Sequence, residues 1–221
     1  MEIQVMKNIL GENDRIAAEN QAMFKDKGVY VLNLMGSPGA GKTSVLEKTM
    51  EHLKDKLSMA VIEGDLFTSK DAERIDKYGV PVIQINTAGG CHLDAAMVQK
   101  AAASLDLAAL DLLIVENVGN LVCPAEFAVG EQEKAVVLSV TEGADKPLKY
   151  PLMFKEAAVA LLNKVDLLPY CDFDMQGARD DITALHPGIE VMELSCTKGD
   201  GVEEWCRWLE DRKSTRLNSS H

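Results

Sequence analysis

The sequence predicts an α/β fold in which a mostly parallel sheet of about seven strands is covered by helices on both faces. Seven short runs rich in Val, Ile, Leu and Ala alternate with segments that have helical periodicity. Continuous apolar runs of this length are typical of strands buried on both faces, as in parallel sheets. The runs occupy residues 29–35, 59–65, 81–86, 112–118, 135–140, 157–163 and 190–195.

The segments between these runs predict helices at residues 3–25, 42–57, 70–78, 92–104, 147–155, 172–185 and 202–211. Helices that join successive strands favour parallel pairing of those strands. We interpret residues 28–212 as a single domain and residues 1–27 as a helical lead-in, with a loosely attached arm as the alternative. Residues 213–221 have no apolar periodicity and are interpreted as a non-native tail.

Composition excludes several classes of function. The chain of 221 residues has 35 acidic and 23 basic residues, for a formal net charge of -12. A nucleic-acid or anionic-membrane partner is therefore not expected, because such proteins present a positive face. No apolar stretch reaches the roughly 20 residues of a membrane span, so we expect a cytosolic protein. Five scattered cysteines predict no disulfide framework, which leaves metal binding or burial.

The strongest motif is GSPGAGKT, which matches G-x-x-x-x-G-K-T between a predicted strand and a predicted helix. Its glycines let backbone N–H groups converge on a phosphate chain, Lys42 reaches the β and γ oxygens, and Thr43 offers a hydroxyl to Mg²⁺. The fold class is therefore that of a P-loop NTPase. The expected nucleotide contacts are Gly36, Ser37, Pro38, Gly39, Ala40, Gly41, Lys42, Thr43 and Ser44.

The motif NKVD, at the end of a later strand, predicts the base that is bound. Asp166 can accept hydrogen bonds from the ring N–H and the exocyclic amine of guanine, whereas adenine would leave this carboxylate unpaired. Asn163 and Lys164 complete the motif. Ser195 and Cys196 are expected in the loop behind the base, and we interpret Cys196 as a small loop residue in preference to a metal ligand.

Carboxylates at strand ends predict the magnesium site. Asp65 ends the second strand and Glu116 ends the fourth. The expected magnesium ligands are Thr43, Asp65 and Glu116. The expected catalytic residues are Lys42, Asp65 and Glu116. Gly119, in E-x-x-G, offers a backbone N–H to the γ-phosphate. Either carboxylate could instead cap a strand. No glutamine or arginine finger is evident, so we expect slow GTP turnover.

A second constellation predicts a metal site. Cys91 and His92 follow Gly89-Gly90, and glycine permits the sharp turn that would let adjacent side chains reach one ion. Cys123, downstream of Glu116, is the natural third ligand. A thiolate and imidazole set suits Zn²⁺ or Ni²⁺. Burial of Cys91, a helix-first-turn role for His92, or a nucleophile and base pair are the alternatives.

The chain resembles the HypB family of GTPases, which help to insert nickel during maturation of [NiFe] hydrogenases. The resemblance covers residues 27–209 and is carried by GSPGAGKT, EGD, GGCHLDA, ENVGNLVCPAEF, TEGADKPLKYP and NKVDL. It implies a SIMIBI-class GTPase whose metal ligands fall on Cys91, His92 and Cys123. It also implies a homodimer, promoted by GTP and metal, with both sites near the subunit interface.

The same resemblance implies two kinds of protein partner, a nickel-insertion accessory protein and a hydrogenase large-subunit precursor. Lys146 would contact phosphate or the partner subunit, with a solvated loop lysine as the equal alternative. Residues 1–27 contain neither Cys nor His, unlike family members with an N-terminal nickel motif. Any nickel function must therefore rest on the site in the GTPase domain, where zinc is also compatible.

Two other functions are also compatible with these motifs. The first is that of the related nickel GTPase UreG, but that family has a Cys-Pro-His run where this chain has Cys123, Pro124 and Ala125. The second is a zinc-dependent dimer or metal store with a vestigial nucleotide site. The intact GKT and NKVD motifs weigh against it.

Overall fold

A seven-stranded parallel sheet forms the centre of the protein. The computed structural model describes residues 2–65 and 70–218, and side chains for 10–65 and 70–215. The sheet order is β3-β2-β4-β1-β5-β6-β7 and every pairing is parallel, which confirms the predicted fold class. The strands are β1 Tyr30–Gly36, β2 Met59–Asp65, β3 Val82–Asn86, β4 Leu112–Glu116, β5 Glu133–Ser139, β6 Val159–Asn163 and β7 Glu190–Leu194.

Helices cover both faces of this sheet because successive strand residues point to opposite sides. On one face Leu32 and Leu34 pack with helices that follow β1, β2 and β7, and on the other Val31 and Met35 pack beneath the remaining helices. The helices are α1 Glu2–Asp26, α2 Lys42–Leu53, α3 Lys70–Asp76, α4 Ala95–Ala102, α5 Cys123–Glu126, α6 Lys146–Lys149, α7 Pro151–Glu156, α8 Met175–Leu185 and α9 Val202–Asn218.

The helices depart from the sequence-based prediction in three places. The single helix expected at 147–155 is two, α6 and α7, because Pro151 forces Tyr150 out of the helical region, to φ -128° and ψ 58°. The short helix α5 was not predicted. The helix α9 continues to Asn218, into the segment interpreted as a tail, and Lys213 there forms an ion pair with Asp111.

The N-terminal helix α1 is joined to the domain by buried side chains. Phe24 is fully buried beside Val31 and Val115, and α1 packs along α4. These contacts favour a docked helix over a loosely attached arm. Over the ranges 2–65 and 70–218, no helix has the length and apolar character needed to cross a membrane.

Replacing Phe24 with Ala tests this docking. We expect Phe24→Ala to destabilise the whole domain by about 3–5 kcal/mol, because it leaves a cavity between α1 and the sheet. The thermal unfolding midpoint should fall by about 2–4 °C for each kcal/mol lost. The exposed residue Glu19, on the same helix, supplies the control Glu19→Ala. A midpoint like that of the control would mean that α1 is not part of the cooperative unit.

Candidate nucleotide and metal sites

The glycine-rich loop between β1 and α2 is shaped by close backbone approaches. Gly39 and Gly41 have φ of 78° and 99°, where residues with a side chain are strained. A Cβ on Gly36 would lie 2.5 Å from the carbonyl oxygen of Val137. The Lys42 amino group folds back to donate to the carbonyl oxygens of Gly36 and Ser37, each at 3.3 Å. Burial lowers the pKa of Lys42.

The predicted magnesium edge is assembled by the register of the sheet. The parallel pairing sets both Leu34 of β1 and Glu63 of β2 opposite Glu116 of β4. The Thr43 hydroxyl donates to Oε1 of Glu116 at 2.8 Å. Burial raises the pKa of Glu116 to about 7, and its Oε2 has no hydrogen-bond partner among the described residues. An unpartnered buried carboxylate oxygen beside a hydroxyl fits a cation such as Mg²⁺.

Glu63 is a buried acid that the sequence reasoning did not single out. Its side chain faces the same cavity as Asp65, since residues two apart share one face of a strand. Burial, and after it the charge of Glu116, raises the pKa of Glu63 to about 8. The spacing in EGD was the available signal, but spacing alone does not show that this acid is buried or that its Oε2 has no hydrogen-bond partner among the described residues.

These groups line a cavity of about 410 Å³, which is in the size range of small-molecule sites. Arg74 of α3 also lies on its wall, but its guanidinium is paired with Glu47 and donates to Ser44 at 3.1 Å. The cavity thus offers a cationic loop on one side and acids on the other. The predicted residues that line it are Pro38, Gly39, Gly41, Lys42, Thr43, Ser44, Asp65, Glu116, Gly119 and Lys164.

The NKVD residues lie directly behind the phosphate loop. Asn163 donates from Nδ2 to the carbonyl oxygen of Ala40 at 2.9 Å, and Lys164 donates from Nζ to that of Gly39 at 2.6 Å. Ser195 donates its hydroxyl to Asp166 at 2.6 Å, which orients the carboxylate. The Cys196 thiol points to Oδ1 of Asn163 at 3.7 Å. All the residues predicted for guanine are therefore adjacent.

Lys146 lies apart from these groups. Its amino group donates to the carbonyl oxygen of Glu142 at 2.6 Å and to Asp145 at 2.8 Å. It is not among the described residues that line the cavity. The Glu142 side chain in turn contacts Ser37 of the phosphate loop. A nucleotide contact from Lys146 stays a prediction that would require it to leave these partners.

The three predicted ligands for a soft metal meet in one cluster. Sγ of Cys91 lies 2.9 Å from Sγ of Cys123 and 3.4 Å from Nδ1 of His92. One donor atom from each residue falls within 4.8 Å of the other two. Two thiols and one imidazole provide the donors that Ni²⁺ and Zn²⁺ accept. This part of the chain therefore fits such an ion.

The surroundings of the cluster hold its ligands in position. The ring of His92 stacks on Phe127 with a centroid distance of 3.9 Å. Burial lowers the pKa of His92, which favours the neutral, ligating imidazole. Burial and the neighbouring Cys91 thiol raise the pKa of Cys123 to about 11, so an arriving metal displaces a proton from it.

A buried asparagine connects the two sites. Asn117 follows Glu116, lines the nucleotide cavity, and accepts on Oδ1 from the backbone N–H of Leu93 at 2.9 Å. Leu93 itself follows His92. The Asn117 amide also donates to Asn33 at 3.1 Å, inside the sheet. This asparagine falls within the predicted strand run 112–118, and no pattern there indicated that it connects two sites.

Comparison with known proteins identifies the family. A family profile described as "CobW/HypB/UreG, nucleotide-binding domain" matches residues 30–193. The hydrogenase maturation factor HypB of Azotobacter vinelandii is 52% identical over 217 residues, which covers 98% of this chain and 72% of that relative. The chain belongs to the HypB family. HypB of Escherichia coli K12 is 50% identical over 211 residues, covering 96% of this chain and 73% of the relative. These families are P-loop GTPases.

Solved HypB structures share the whole fold. HypB from Helicobacter pylori, determined in complex with nickel, matches with a TM-score of 0.89 and 38% sequence identity. The match covers 95% of this chain and 99% of that structure's chain. HypB from Archaeoglobus fulgidus has a TM-score of 0.86 and 34% identity, with coverage of 92% and 99%. These matches confirm the resemblance inferred from the sequence motifs.

Glu63 gives a pH-dependent prediction for the protein free of metal and nucleotide. Its folded pKa of about 8 lies above the unfolded value of 4.5, so its ionisation disfavours the folded state as pH rises between these values. We expect Glu63→Gln to raise the thermal unfolding midpoint at pH 8, by about 2–4 °C per kcal/mol gained. The gain should vanish near pH 4.5. A matched control is Glu51→Gln, on an exposed residue. An equal gain at both pH values would contradict the prediction.

Proposed function

We propose that this protein is a metal-binding GTPase that couples GTP binding and hydrolysis to nickel delivery during [NiFe] hydrogenase maturation. The observation that carries the proposal is the shared segment from Glu116 to Cys123, which connects the magnesium edge to the thiol and imidazole cluster. Relatives at about half identity bear the name hydrogenase maturation factor, and a similar HypB was solved with nickel. Nickel is here the cargo, and GTP is the energy source.

The phosphate end of the site divides the work of binding and hydrolysis among its residues. Lys42 would leave its loop carbonyls for the β and γ oxygens of GTP. Thr43, Asp65 and Glu116 would hold Mg²⁺, directly or through water, and Gly119 would donate its backbone N–H to the γ-phosphate. When bound, Mg²⁺ neutralises charge on the β and γ oxygens. The only arginine on the described cavity wall, Arg74, is already paired, which supports slow intrinsic turnover.

The residues of the NKVD motif would bind the guanine base. Asp166 is oriented by Ser195, and the Asn163 and Lys164 side chains connect this end to the phosphate loop. Its carboxylate would accept two hydrogen bonds from guanine. Cys196 would lie behind the base. This division of roles makes GTP the preferred nucleotide.

Asp166→Asn tests the base assignment. The amide can no longer accept two hydrogen bonds from guanine, but it can donate one to the extra carbonyl oxygen of xanthine. We expect GTP affinity to fall and affinity for xanthosine triphosphate to rise, with a combined change of specificity of at least about 100-fold. Fluorescent-nucleotide titration would measure both. The control is Asp180→Asn, because Asp180 is an exposed residue of α8 that does not line the cavity. Unchanged guanine preference would contradict the role of Asp166.

Nickel would bind through Cys91, His92 and Cys123. Softness of the donors does not by itself exclude zinc, so the cargo is selected by delivery as well as by ligand type. The neutral imidazole of His92 is ready to bind, whereas the Cys123 thiol must lose its proton. Because Cys91 and Cys123 would both have to reach the same ion, any movement that separates them should lower the affinity for nickel.

Two asparagines, Asn120 and Asn117, would connect the nucleotide site to the cargo site. The backbone N–H of Asn120 donates to the carbonyl oxygen of Gly36, and the amide of Asn120 points to Sγ of Cys123 at 3.7 Å. Asn117 reaches the other ligand segment through Leu93. We infer that GTP orders the segment after Glu116 and changes the position of Cys123 relative to Cys91, and that hydrolysis reverses the change.

The same cycle would control assembly. Val122, next to Cys123, is 50% exposed, and Leu148 of α6 is 62% exposed. Of these two, Val122 directly precedes the proposed ligand Cys123 in the chain, so a protein that binds there would lie next to the metal site. We infer a homodimer favoured by GTP and cargo, in which Lys146 turns from Asp145 to phosphate or to the partner subunit. A nickel-insertion accessory protein and a hydrogenase large-subunit precursor are the inferred partners.

Coupling between the sites is measurable at equilibrium. We expect Ni²⁺ affinity to differ by about 5–150-fold between protein loaded with a GTP analogue and with GDP. Because coupling is reciprocal, Ni²⁺ should change the ratio of GTP-analogue affinity to GDP affinity by the same factor. Isothermal titration gives both values. Cys91→Ala should lose Ni²⁺ binding while keeping nucleotide binding. Identical Ni²⁺ affinities in all nucleotide states would overturn the coupling.

A further inference from the structure

The N-terminal helix has no role in the function proposed so far. We propose that α1 builds the metal site, because its side chains Asn13 and Asn20 join the two chain segments that carry the ligands. They are positioning residues and do not touch the ion. The inference rests on the proposed metal site formed by Cys91, His92 and Cys123, and it assigns a task to a segment that contains neither Cys nor His.

The ligands come from two segments that are far apart in the chain. Cys91 and His92 lie just before α4, which begins at Ala95, whereas Cys123 opens α5 and is followed by a loop at residues 127–132. The Sγ atoms of the two cysteines belong to residues separated by 32 positions. The site is therefore only as well defined as the relative position of α4 and this loop.

Asn13 bonds to both segments at once. Its Oδ1 accepts from the backbone N–H of Ala95 at 2.9 Å, and its Nδ2 donates to the carbonyl oxygen of Ala128 at 2.9 Å. The first bond satisfies a donor at the start of α4 that has no partner within the helix. One side chain thereby fixes the segment after His92 to the segment after Cys123.

Asn20, two turns further along α1, repeats this bridge. Its Nδ2 donates to the carbonyl oxygen of Ala95 at 2.8 Å and to that of Val129 at 3.0 Å. Asn20 is fully buried, and its Oδ1 has no hydrogen-bond partner within the described residues. A helix that only needed to dock would be better served by an apolar residue here, since a buried unpaired oxygen disfavours folding.

The backbone of the second segment is shaped to receive α1. Gly130 has φ of 103°, and a Cβ there would lie 2.4 Å from Cβ of Asn20. Phe127, next to Ala128, carries the ring that stacks on His92. The bridges therefore bind the backbone at Ala128, one residue after Phe127, and at Ala95, three residues after His92.

The matched control lies on the same helix. Gln21 also donates from its amide to a backbone carbonyl, that of Glu131 at 3.2 Å, but it reaches only the second segment. Gln21→Ala thus removes one bond between α1 and the domain without removing a bridge. Asn13→Ala and Asn20→Ala each remove both ends of a bridge. Comparing these variants separates joining the segments from docking the helix.

Metal affinity is the first measurement. Ni²⁺ titrated into the full chain, followed by thiolate-to-nickel absorption and by competition with a chelator, should bind about 10-fold or more weakly to Asn13→Ala and to Asn20→Ala. Affinity for a GTP analogue should stay at the wild-type value in both, and Gln21→Ala should match wild type throughout. Equal Ni²⁺ affinity in all four proteins, or parallel losses of Ni²⁺ and nucleotide binding, would overturn the inference.

The second measurement needs no metal. Oxidised glutathione converts the two thiols of Cys91 and Cys123 into one protein disulfide and releases two glutathione thiols, at a rate that depends on how often the sulfur atoms meet. We expect slower disulfide formation in Asn13→Ala and Asn20→Ala than in Gln21→Ala, with Cys91→Ser as the blank. Wild-type rates in the asparagine variants would overturn the bridge. If the wild-type protein did not bind Ni²⁺, while the asparagine variants still formed the disulfide more slowly than Gln21→Ala, the proposed function would be overturned and the bridge would stand.

Discussion

The buried carboxylate of Glu116 is the group on which the arrangement of both sites depends. It lies where β1, β2 and β4 end together, and the Thr43 hydroxyl binds it from the first turn of α2. This hydrogen bond fixes the phosphate loop relative to the sheet edge. The chain that leaves Glu116 must then pass Gly119, which lies against Pro38, before it reaches Cys123. The position of Cys123, the proposed metal ligand, therefore depends on the nucleotide site.

Buried polar side chains, rather than apolar packing alone, organise the face of the sheet that carries the metal cluster. Asn117 bonds to Asn33, Asn33 to Glu131, and Glu131 to the backbone of Val129. Each such group requires a specific partner, because an unpaired polar atom in the interior is unfavourable. The network therefore specifies one arrangement of loops, where an apolar interface would tolerate several. That selectivity suits a site whose ligands come from separate loops.

Much of this structure could be predicted from local patterns. The strand runs, the phosphate loop and the NKVD motif are contiguous, and their physical requirements are local, so the sequence indicated them within a few residues. Cys123 was predicted to join Cys91 because it lies downstream of Glu116 at a strand end, and its Sγ does lie beside that of Cys91. The burial of Glu63 and the roles of Asn13, Asn20 and Asn117 could not be predicted. Each depends on what packs against it from a distant part of the chain, and asparagine has no pattern that separates a buried bridge from a surface turn.

The separation of the ligands along the chain also concerns the energetics of carrying a metal. Cys91 and Cys123 come together only in the folded domain, so the unfolded chain offers an ion no comparable site. A ligand that binds only the folded form stabilises it, by about 2.7 kcal/mol at a free concentration 100 times its Kd. The empty carrier would then be the less stable form, and giving up its cargo would leave it more readily unfolded. The lifetime of such a carrier would depend on how quickly it is reloaded.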